Sequence, residues 1–259
     1  MMRILRVPYR SVARQLRRAA RKVKAGLLNF RWARVNWRNP SPVNVARVGA
    51  GLLSSVDVVV INLDNRSDRL SDFSAEMKRL GVTDWRRVPA TNGAQFFPHL
   101  PAFFAGSIGC TLSHINALAS VDWQNCVAAM ICEDDAEFLV SRAEIEELLE
   151  NFLGDDRLDV LALYGRARGA STPISTHLRI VMGLVGRVCY VVKPHMALPL
   201  AQRFETGIPL LKGGRRRGKG DQMWRKLQRR GYFFASPRFP AVRNRAGYSD
   251  IEGRGLGPR

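Results

Sequence analysis

The chain has 259 residues, of which 46% are hydrophobic, a size that permits one sizeable domain with a core or two small ones. The formal net charge is +19, but residues 1–50 carry 13 Lys or Arg and no Asp or Glu, whereas residues 51–259 carry 28 basic and 22 acidic side chains. The basicity therefore belongs to an N-terminal arm (residues 1–50), and this confinement argues against a folded domain (residues 51–259) built to bind nucleic acid.

The arm has the pattern of a basic amphipathic helix followed by a linker. In residues 11–30, apolar side chains recur at helical spacing with Arg and Lys between them, and aromatic residues follow among further arginines. Such a segment suits an anionic membrane surface, which we predict as the partner of residues 1–40. Nucleic-acid binding by the arm, or an arm without a partner, are the alternatives. Pro40 and Pro42 then indicate the linker.

Hydrophobic runs and cysteines indicate the compartment. No apolar segment approaches the length of a membrane span, and basic residues interrupt the N-terminal hydrophobic runs, unlike a secretory signal. No C-x-x-C pair is present, which favours free thiols in a reducing compartment over zinc or disulfides for Cys110, Cys126, Cys132 and Cys189. We therefore expect a cytoplasmic protein, peripheral on the inner face of the cytoplasmic membrane.

The folded domain opens with a strand, a turn and a helix. Residues 56–63 are β-branched and apolar, which predicts a buried strand. Ser67 is the predicted N-cap of a helix that Gly81 ends. In the turn between them, Arg66 and Arg69 could hold a phosphate or carboxylate at the end of the strand, or pair with nearby acids.

A second strand and a longer helix come next. Residues 84–88 predict the strand. In the stretch 106–118, Ser107 is the predicted cap of a helix whose inner face is formed by Ile108, Leu112, Ile115 and Ala119. A lone histidine such as His114 is, on its own, more often structural than functional.

The chemistry is concentrated where an apolar run meets three acids. Residues 127–132 predict a buried central strand, and Glu133, Asp134 and Asp135 follow it directly. Ligands of open α/β sheets bind beyond the carboxyl ends of strands, and three adjacent carboxylates favour a divalent cation with oxygen ligands. On the acids alone, an ordinary acidic turn is equally consistent.

The rest of the chain continues the alternation of strands and helices. Ser141 and Glu144 predict a capping box. We expect strands at 158–164, 184–192 and 232–235, loops at 166–176 and 212–220, and a helix that Asp221 opens and Arg230 ends. The basic, glycine-rich loop 212–220 could close over an anionic ligand or lie solvated. Together these elements predict an α/β fold with a mostly parallel sheet flanked by helices.

Four segments taken together resemble glycosyltransferase family 25, which includes bacterial lipooligosaccharide galactosyltransferases and the collagen galactosyltransferase domain. They are, in order, INLDNRSDR (61–69), RVPATNG (87–93), GSIGCTLSH (106–114) and ICEDDAEF (131–138). Weaker matches follow at Gly220-Asp221 and around Tyr248, so that the resemblance covers about residues 56–252. The family often has Glu where this chain has Ser107.

The resemblance implies a GT-A-like (Rossmann-like) domain over residues 51–259 that inverts the anomeric carbon of its donor. The expected reaction moves a hexose, with galactose first, from a UDP-sugar to a lipid-linked or cell-envelope glycan, with Mn²⁺ or Mg²⁺ as cofactor. The resemblance assigns the metal to Asp135 and Glu133. An inverting transferase also needs a base for the acceptor proton, for which Asp221 is the first candidate and Asp250 the second. The residues assigned to donor binding are Asn62, Arg66, Arg69, Ser113, His114, Glu133 and Asp134.

Two other functions compete with this interpretation. One is a catalytically inactive member of the family that binds nucleic acid or membrane through its basic residues. The other is a different metal-dependent nucleotidyl enzyme, which a glycine-rich phosphate loop would favour; the sequence has no such motif.

Overall fold

The computed structural model describes residues 51–249, 251 and 254–257, together with Ala20, Val23, Leu27 and Leu28 of the arm. These four arm residues are helical, and Leu28 packs into the core of the domain. The predicted membrane-binding segment otherwise lies outside the described residues, as does Asp250, the second candidate base.

The domain alternates short strands with helices. The helices are α1 (Ser67–Arg79), α2 (Gly93–Phe96), α3 (Ala102–Ser120), α4 (Arg142–Leu153), α5 (Ala197–Glu205), α6 (Ile208–Lys212) and α7 (Gly220–Arg230). The strands are β1 (Val56–Asn62), β2 (Trp85–Pro89), β3 (Ala128–Glu133), β4 (Ala136–Phe138), β5 (Val160–Ala162), β6 (Arg166–Ala167), β7 (Ser171–Pro173), β8 (Leu178–Val181), β9 (Leu184–Val185), β10 (Cys189–Val192), β11 (Phe234–Pro237), β12 (Val242–Asn244), β13 (Gly247–Ser249) and β14 (Arg254–Leu256).

Eight strands form one mixed sheet in the order β2-β1-β3-β10-β5-β11-β8-β7. β1 is parallel to β2 and β3, and β5 is parallel to β11. β10 runs antiparallel to both β3 and β5, and β8 runs antiparallel to β11 and β7. The α/β class is therefore confirmed, but a mostly parallel sheet is found only in the half that contains β1 to β3.

Helices cover both faces of this sheet. Side chains alternate along β1, so that Val58 and Val60 pack in one core with α1 and α4. Val59 and Ile61 pack in a second core with α3, α5 and α7. Because both faces are covered, β1 and β3 read as continuous apolar runs, which is why the sequence revealed them.

Several local predictions are confirmed. The capping box is present, since the Ser141 hydroxyl accepts from the Glu144 N–H and the Glu144 carboxylate accepts from the Ser141 N–H. α7 spans the predicted helix opened by Asp221. α1 is also where expected, although Ser67 is its first residue and its side chain makes no capping hydrogen bond.

Helix α3 differs most from its prediction. It begins at Ala102, directly after Pro101, whose fixed φ of −53° suits a helix start. Ser107 therefore lies buried within the helix instead of capping it, and Ala119, predicted for the inner face, is exposed. The extra turn also makes α3 long and apolar enough to cross a membrane by length and composition, contrary to the prediction, although half of that stretch is buried inside the domain.

Segments with weak periodicity hold more structure than predicted. The expected loop at 166–176 contains β6 and β7, and the expected strand at 184–192 is divided into β9 and β10. Gly186 makes the division with a φ of +100°, a conformation that favours glycine. Strand 232–235 is not the last, because β12 to β14 follow it. Strands of two to four residues give no periodic signal.

The basic loop is also more ordered than expected. Arg216–Gly218 forms a 3-10 turn, and Gly218 is buried. A Cβ added at Gly218 would lie 2.4 Å from the carbonyl oxygen of Gly207, so the two backbones are in direct contact. The basic, glycine-rich composition predicted an irregular loop, whereas the structure contains a packed turn.

Candidate functional site

The topology brings the predicted site residues to one edge of the sheet. The parallel strands β1, β2 and β3 end there, and the antiparallel β10 begins there. A cavity of about 290 Å³ opens at this edge. Its lining includes Arg69, Ser113, His114, Glu133, Asp134 and Asp135.

Asp134 is held by two partners from the first strand and its turn. Asn62 Nδ2 donates to Oδ2 at 2.8 Å, and Arg69 Nη1 donates to Oδ1 at 3.0 Å. Asn62 is fixed in turn by Arg87, whose Nε donates to its Oδ1 at 2.9 Å. Both carboxylate oxygens of Asp134 thus accept hydrogen bonds. The residue is 7% exposed, and these bonds connect β1 and the turn after it to the end of β3.

Asp135 has one engaged oxygen and one free oxygen. Oδ2 accepts from Asn244 Nδ2 at 3.0 Å, a contact that depends on the antiparallel pairing of β4 with β12. Oδ1 is buried and has no hydrogen-bond partner among the described residues. A buried carboxylate oxygen without a donor is costly, so this atom calls for a partner beyond the described residues.

Glu133 is fixed by a buried histidine. His114 Nε2 lies 3.0 Å from Glu133 Oε1, and His114 Nδ1 lies 3.2 Å from the Tyr190 hydroxyl. Burial lowers the pKa of His114 well below its usual value, so the ring is neutral. We therefore assign Nε2–H as the donor to Glu133 and Nδ1 as the acceptor from Tyr190.

The three carboxyl groups of the acidic cluster all have raised pKa values. Burial raises the pKa of Asp134 to about 6, against the opposing effect of Arg69. Burial and then repulsion from Glu133 raise the pKa of Asp135 to about 6, while Asn244 opposes the shift. Burial also raises the pKa of Glu133, with Arg187 opposing it. Carboxyl groups with raised pKa values in a cavity are typical of functional sites.

Helix α3 and the loop after β2 are locked together beside this cluster. The Thr91 N–H donates to Ser113 Oγ at 2.8 Å. A Cβ added at Gly109 would lie 2.5 Å from the Thr91 oxygen and 2.6 Å from the Gly93 nitrogen. Ser113 therefore holds the cavity wall through the backbone, and only glycine at 109 permits this approach.

Arg187, which the sequence did not indicate, lies outside the cavity lining and contacts Cys110, which is part of that lining. Arg187 is 6% exposed, and its Nη2 lies 3.3 Å from Cys110 Sγ. A Cβ on Gly220 would lie 2.2 Å from Arg187 Nη1, so the guanidinium packs on the first residue of α7. Asp221 follows, with a buried Oδ1 that has no partner among the described residues. Asp221 does not line the cavity.

Two sets of side chains could hold a metal ion. Ligand atoms of Cys110, His114 and Glu133 lie within 4.8 Å of one another, a mixed set of the kind that Zn²⁺ takes. Burial raises the pKa of the Cys110 thiol to about 12, so a metal ion would first have to displace its proton. The oxygen set fits better, because Asp135 Oδ1 and Glu133 Oε2 have no hydrogen-bond partner among the described residues. Carboxylate oxygens are the ligands preferred by Mg²⁺ and Mn²⁺.

The structure separates the predicted residues. Arg69, Ser113, His114 and all three acids line the cavity, and Asn62 reaches it through Asp134. Asp221 lies outside the lining, and Asp250 lies outside the described residues. Arg66 instead pairs with Asp68 at 2.9 Å and does not line the cavity. The sequence missed Cys110, Arg187, Tyr190 and Asn244, since each reaches the cluster through a contact between segments far apart in the chain.

No model of a known protein family matches this chain, and no curated protein matches it at a significant level. The resemblance to glycosyltransferase family 25 therefore rests on the four segments themselves.

Proposed function

We propose that the protein is a metal-dependent, inverting glycosyltransferase with a GT-A-like fold. Its donor would be a UDP-sugar, its transferred group a hexose such as galactose, and its acceptor a lipid-linked or cell-envelope glycan. The supporting observation is the buried acidic cluster at the end of β3, in which Asp135 lines the cavity and its Oδ1 has no partner among the described residues. The four resembling segments supply the reaction class, and all four contribute residues to the cavity lining.

The metal would be held by Asp135, with the Oε2 side of Glu133 as a second ligand. A bound Mn²⁺ or Mg²⁺ supplies positive charge where the departing nucleoside diphosphate develops negative charge. His114 holds Glu133 from behind, and Asn244 holds Asp135 from the side. Arg69 also lines the cavity, but Asp134 already neutralises much of its charge. Lys219 also lines the cavity, pairs with no described carboxylate and would be a cation for the donor.

Asp221 is the first candidate for the base that takes the acceptor proton, because its Oδ1 is buried without a partner among the described residues. Asp250, the second candidate, lies outside the described residues. Asp221→Asn should lower kcat with little change in donor KM if Asp221 is the base. An unchanged kcat would transfer that role to Asp250.

The reaction class can be tested without knowing the acceptor. Many glycosyltransferases slowly hydrolyse their donor, so UDP release from a panel of UDP-sugars should be measured with Mn²⁺ and with chelator. We expect release from at least one donor, dependent on metal. Asp135→Asn should lower it by about 10²-fold or more, the usual effect of removing a key electrostatic group.

A matched control is Asp57→Asn, the same change on β1 at the opposite edge of the sheet, where Asp57 pairs with Arg86. This variant should release UDP at the wild-type rate. Equal activity of Asp135→Asn and wild type would refute the assignment. Absence of turnover for every donor, with metal still bound, would favour the inactive family member instead.

A further inference from the structure

Two segments beside the cavity form one continuous surface, which we call the aromatic–basic rim: residues 94–104 and residues 212–219. Ala94, Ala102 and Lys219 line the cavity, so the rim borders its mouth. Both segments of the rim belong to the folded domain. Among the cations of the rim, only Lys219 is also part of the proposed donor site.

The first half of the rim is apolar and exposed. Phe96 is 65% exposed, and Phe97, Leu100, Phe103 and Phe104 are half-buried. No Asp or Glu occurs anywhere from residue 85 to residue 121. Soluble domains rarely expose a contiguous apolar patch unless it binds a partner, so an exposed aromatic segment without acids indicates a binding surface.

The second half is strongly basic. It carries Lys212, Arg215, Arg216, Arg217 and Lys219 within eight residues. In the described part of the chain, none of these five lies within 4.0 Å of a carboxylate oxygen. Five cations without a nearby carboxylate among the described residues strengthen binding to an anionic partner.

Cation–π contacts join the two halves into a preformed surface. Lys212 Nζ lies 5.3 Å from the centre of the Phe97 ring, and Arg216 Cζ lies 4.3 Å from the centre of the Phe103 ring. Lys219 Nζ lies 5.5 Å from the Phe103 ring as well. The backbone contact of Gly218 with Gly207 fixes the basic turn against α6.

We infer that the aromatic–basic rim docks on the surface of an anionic lipid bilayer, with Phe96 in the interface and the cations among the headgroups. A bilayer surface accepts apolar and cationic side chains from one side at once. A single-stranded nucleic acid would need free aromatic faces for its bases, but cations already cover the rings of Phe97 and Phe103. When the rim is docked in this way, the mouth of the cavity opens beside the lipid surface.

Binding of the full-length chain to vesicles tests the inference with two matched variants. Arg215→Gln/Arg216→Gln/Arg217→Gln removes three rim charges. Lys226→Gln/Arg229→Gln/Arg230→Gln removes three exposed charges from α7, whose end leads into the start of β11 at the other edge of the sheet. Both variants retain the arm, so any difference between them comes from the rim.

With phosphatidylcholine vesicles that contain phosphatidylglycerol, each cation near the surface should contribute a factor of about five at low salt. The rim variant should therefore lose about 10²-fold in partition coefficient, and the α7 variant less than about threefold. Phe96→Ser should lose about tenfold, because the ring leaves the interface. Since Phe96 is 65% exposed, this change should leave the thermal unfolding temperature unaltered.

Hydrogen exchange on the wild-type chain gives an independent measurement. Anionic vesicles should protect peptides covering residues 94–104 and 212–219. Equal losses in the two charge variants, or protection confined to other segments, would overturn the inference. Protection of the rim by a single-stranded oligonucleotide but not by anionic vesicles would also overturn it, in favour of nucleic acid.

Discussion

Replacing His114 with Phe tests whether the acidic cluster is held from behind by a neutral histidine. The ring of Phe fills a similar volume, but the Tyr190 hydroxyl loses its acceptor and Glu133 Oε1 loses its donor. A buried neutral hydrogen bond contributes about 1 kcal/mol, and one to a charged group about 1.5–3 kcal/mol. Because His114 and Tyr190 are fully buried, water cannot replace the bond between them, and we expect the free energy of unfolding to fall by about 2–4 kcal/mol.

The assay is urea unfolding followed by circular dichroism, with Mn²⁺-dependent UDP binding measured on the same samples. His177→Phe is the matched control, since His177 pairs with Glu147 at 3.1 Å but both side chains are partly exposed. It should cost less than about 1 kcal/mol and leave UDP binding unchanged. His114→Gln can still donate to Glu133 and should recover much of the binding. A cost below about 0.5 kcal/mol for His114→Phe, or unchanged UDP binding, would refute the positioning role.

Two further predictions concern the framework of the site. Gly109→Ala places a Cβ 2.5 Å from the Thr91 oxygen, so it should lower the free energy of unfolding by about 1–3 kcal/mol and weaken UDP binding. The control is Gly213→Ala, where the nearest contact of the added Cβ is 3.5 Å. Urea unfolding should show almost no change in stability for this variant. In the capping box, the Ser141 N–H lowers the pKa of Glu144 below its usual value of 4.5, so its stabilisation is present above that pH and is lost as the pH falls through the folded-state pKa. The difference in unfolding temperature between wild type and Glu144→Gln should therefore shrink between pH 7 and pH 3; a constant difference would contradict this.

Local patterns accounted for the parts of the fold that local interactions determine. β1 and β3 were visible because each is a continuous apolar run, and the capping box because Ser141 and Glu144 are three residues apart. α3 was misplaced because Pro101 sets its start, whereas the serine at 107 that resembled a cap is buried. The direction of β10 is fixed by pairing with β3 and β5, and nothing within residues 184–192 indicates it.

The candidate site divides in the same way. The three acids were evident because they interrupt an apolar run, and their convergence with Arg69 follows from the parallel order of β1 and β3. The contact of Asp135 with Asn244 spans 109 residues and depends on the pairing of β4 with β12. Arg187 was missed because a single arginine before a strand carries no local signal.

Calorimetric titration of UDP into the full-length protein, with and without Mn²⁺, tests whether Asp135 belongs to a metal and donor site. Wild type and Asp57→Asn should bind UDP much more tightly when Mn²⁺ is present, because in the proposed site Asp135 and Glu133 would hold the cation against the diphosphate. Asp135→Asn should bind UDP weakly and equally under both conditions. Metal-dependent UDP binding by Asp135→Asn as tight as that of wild type would contradict the account.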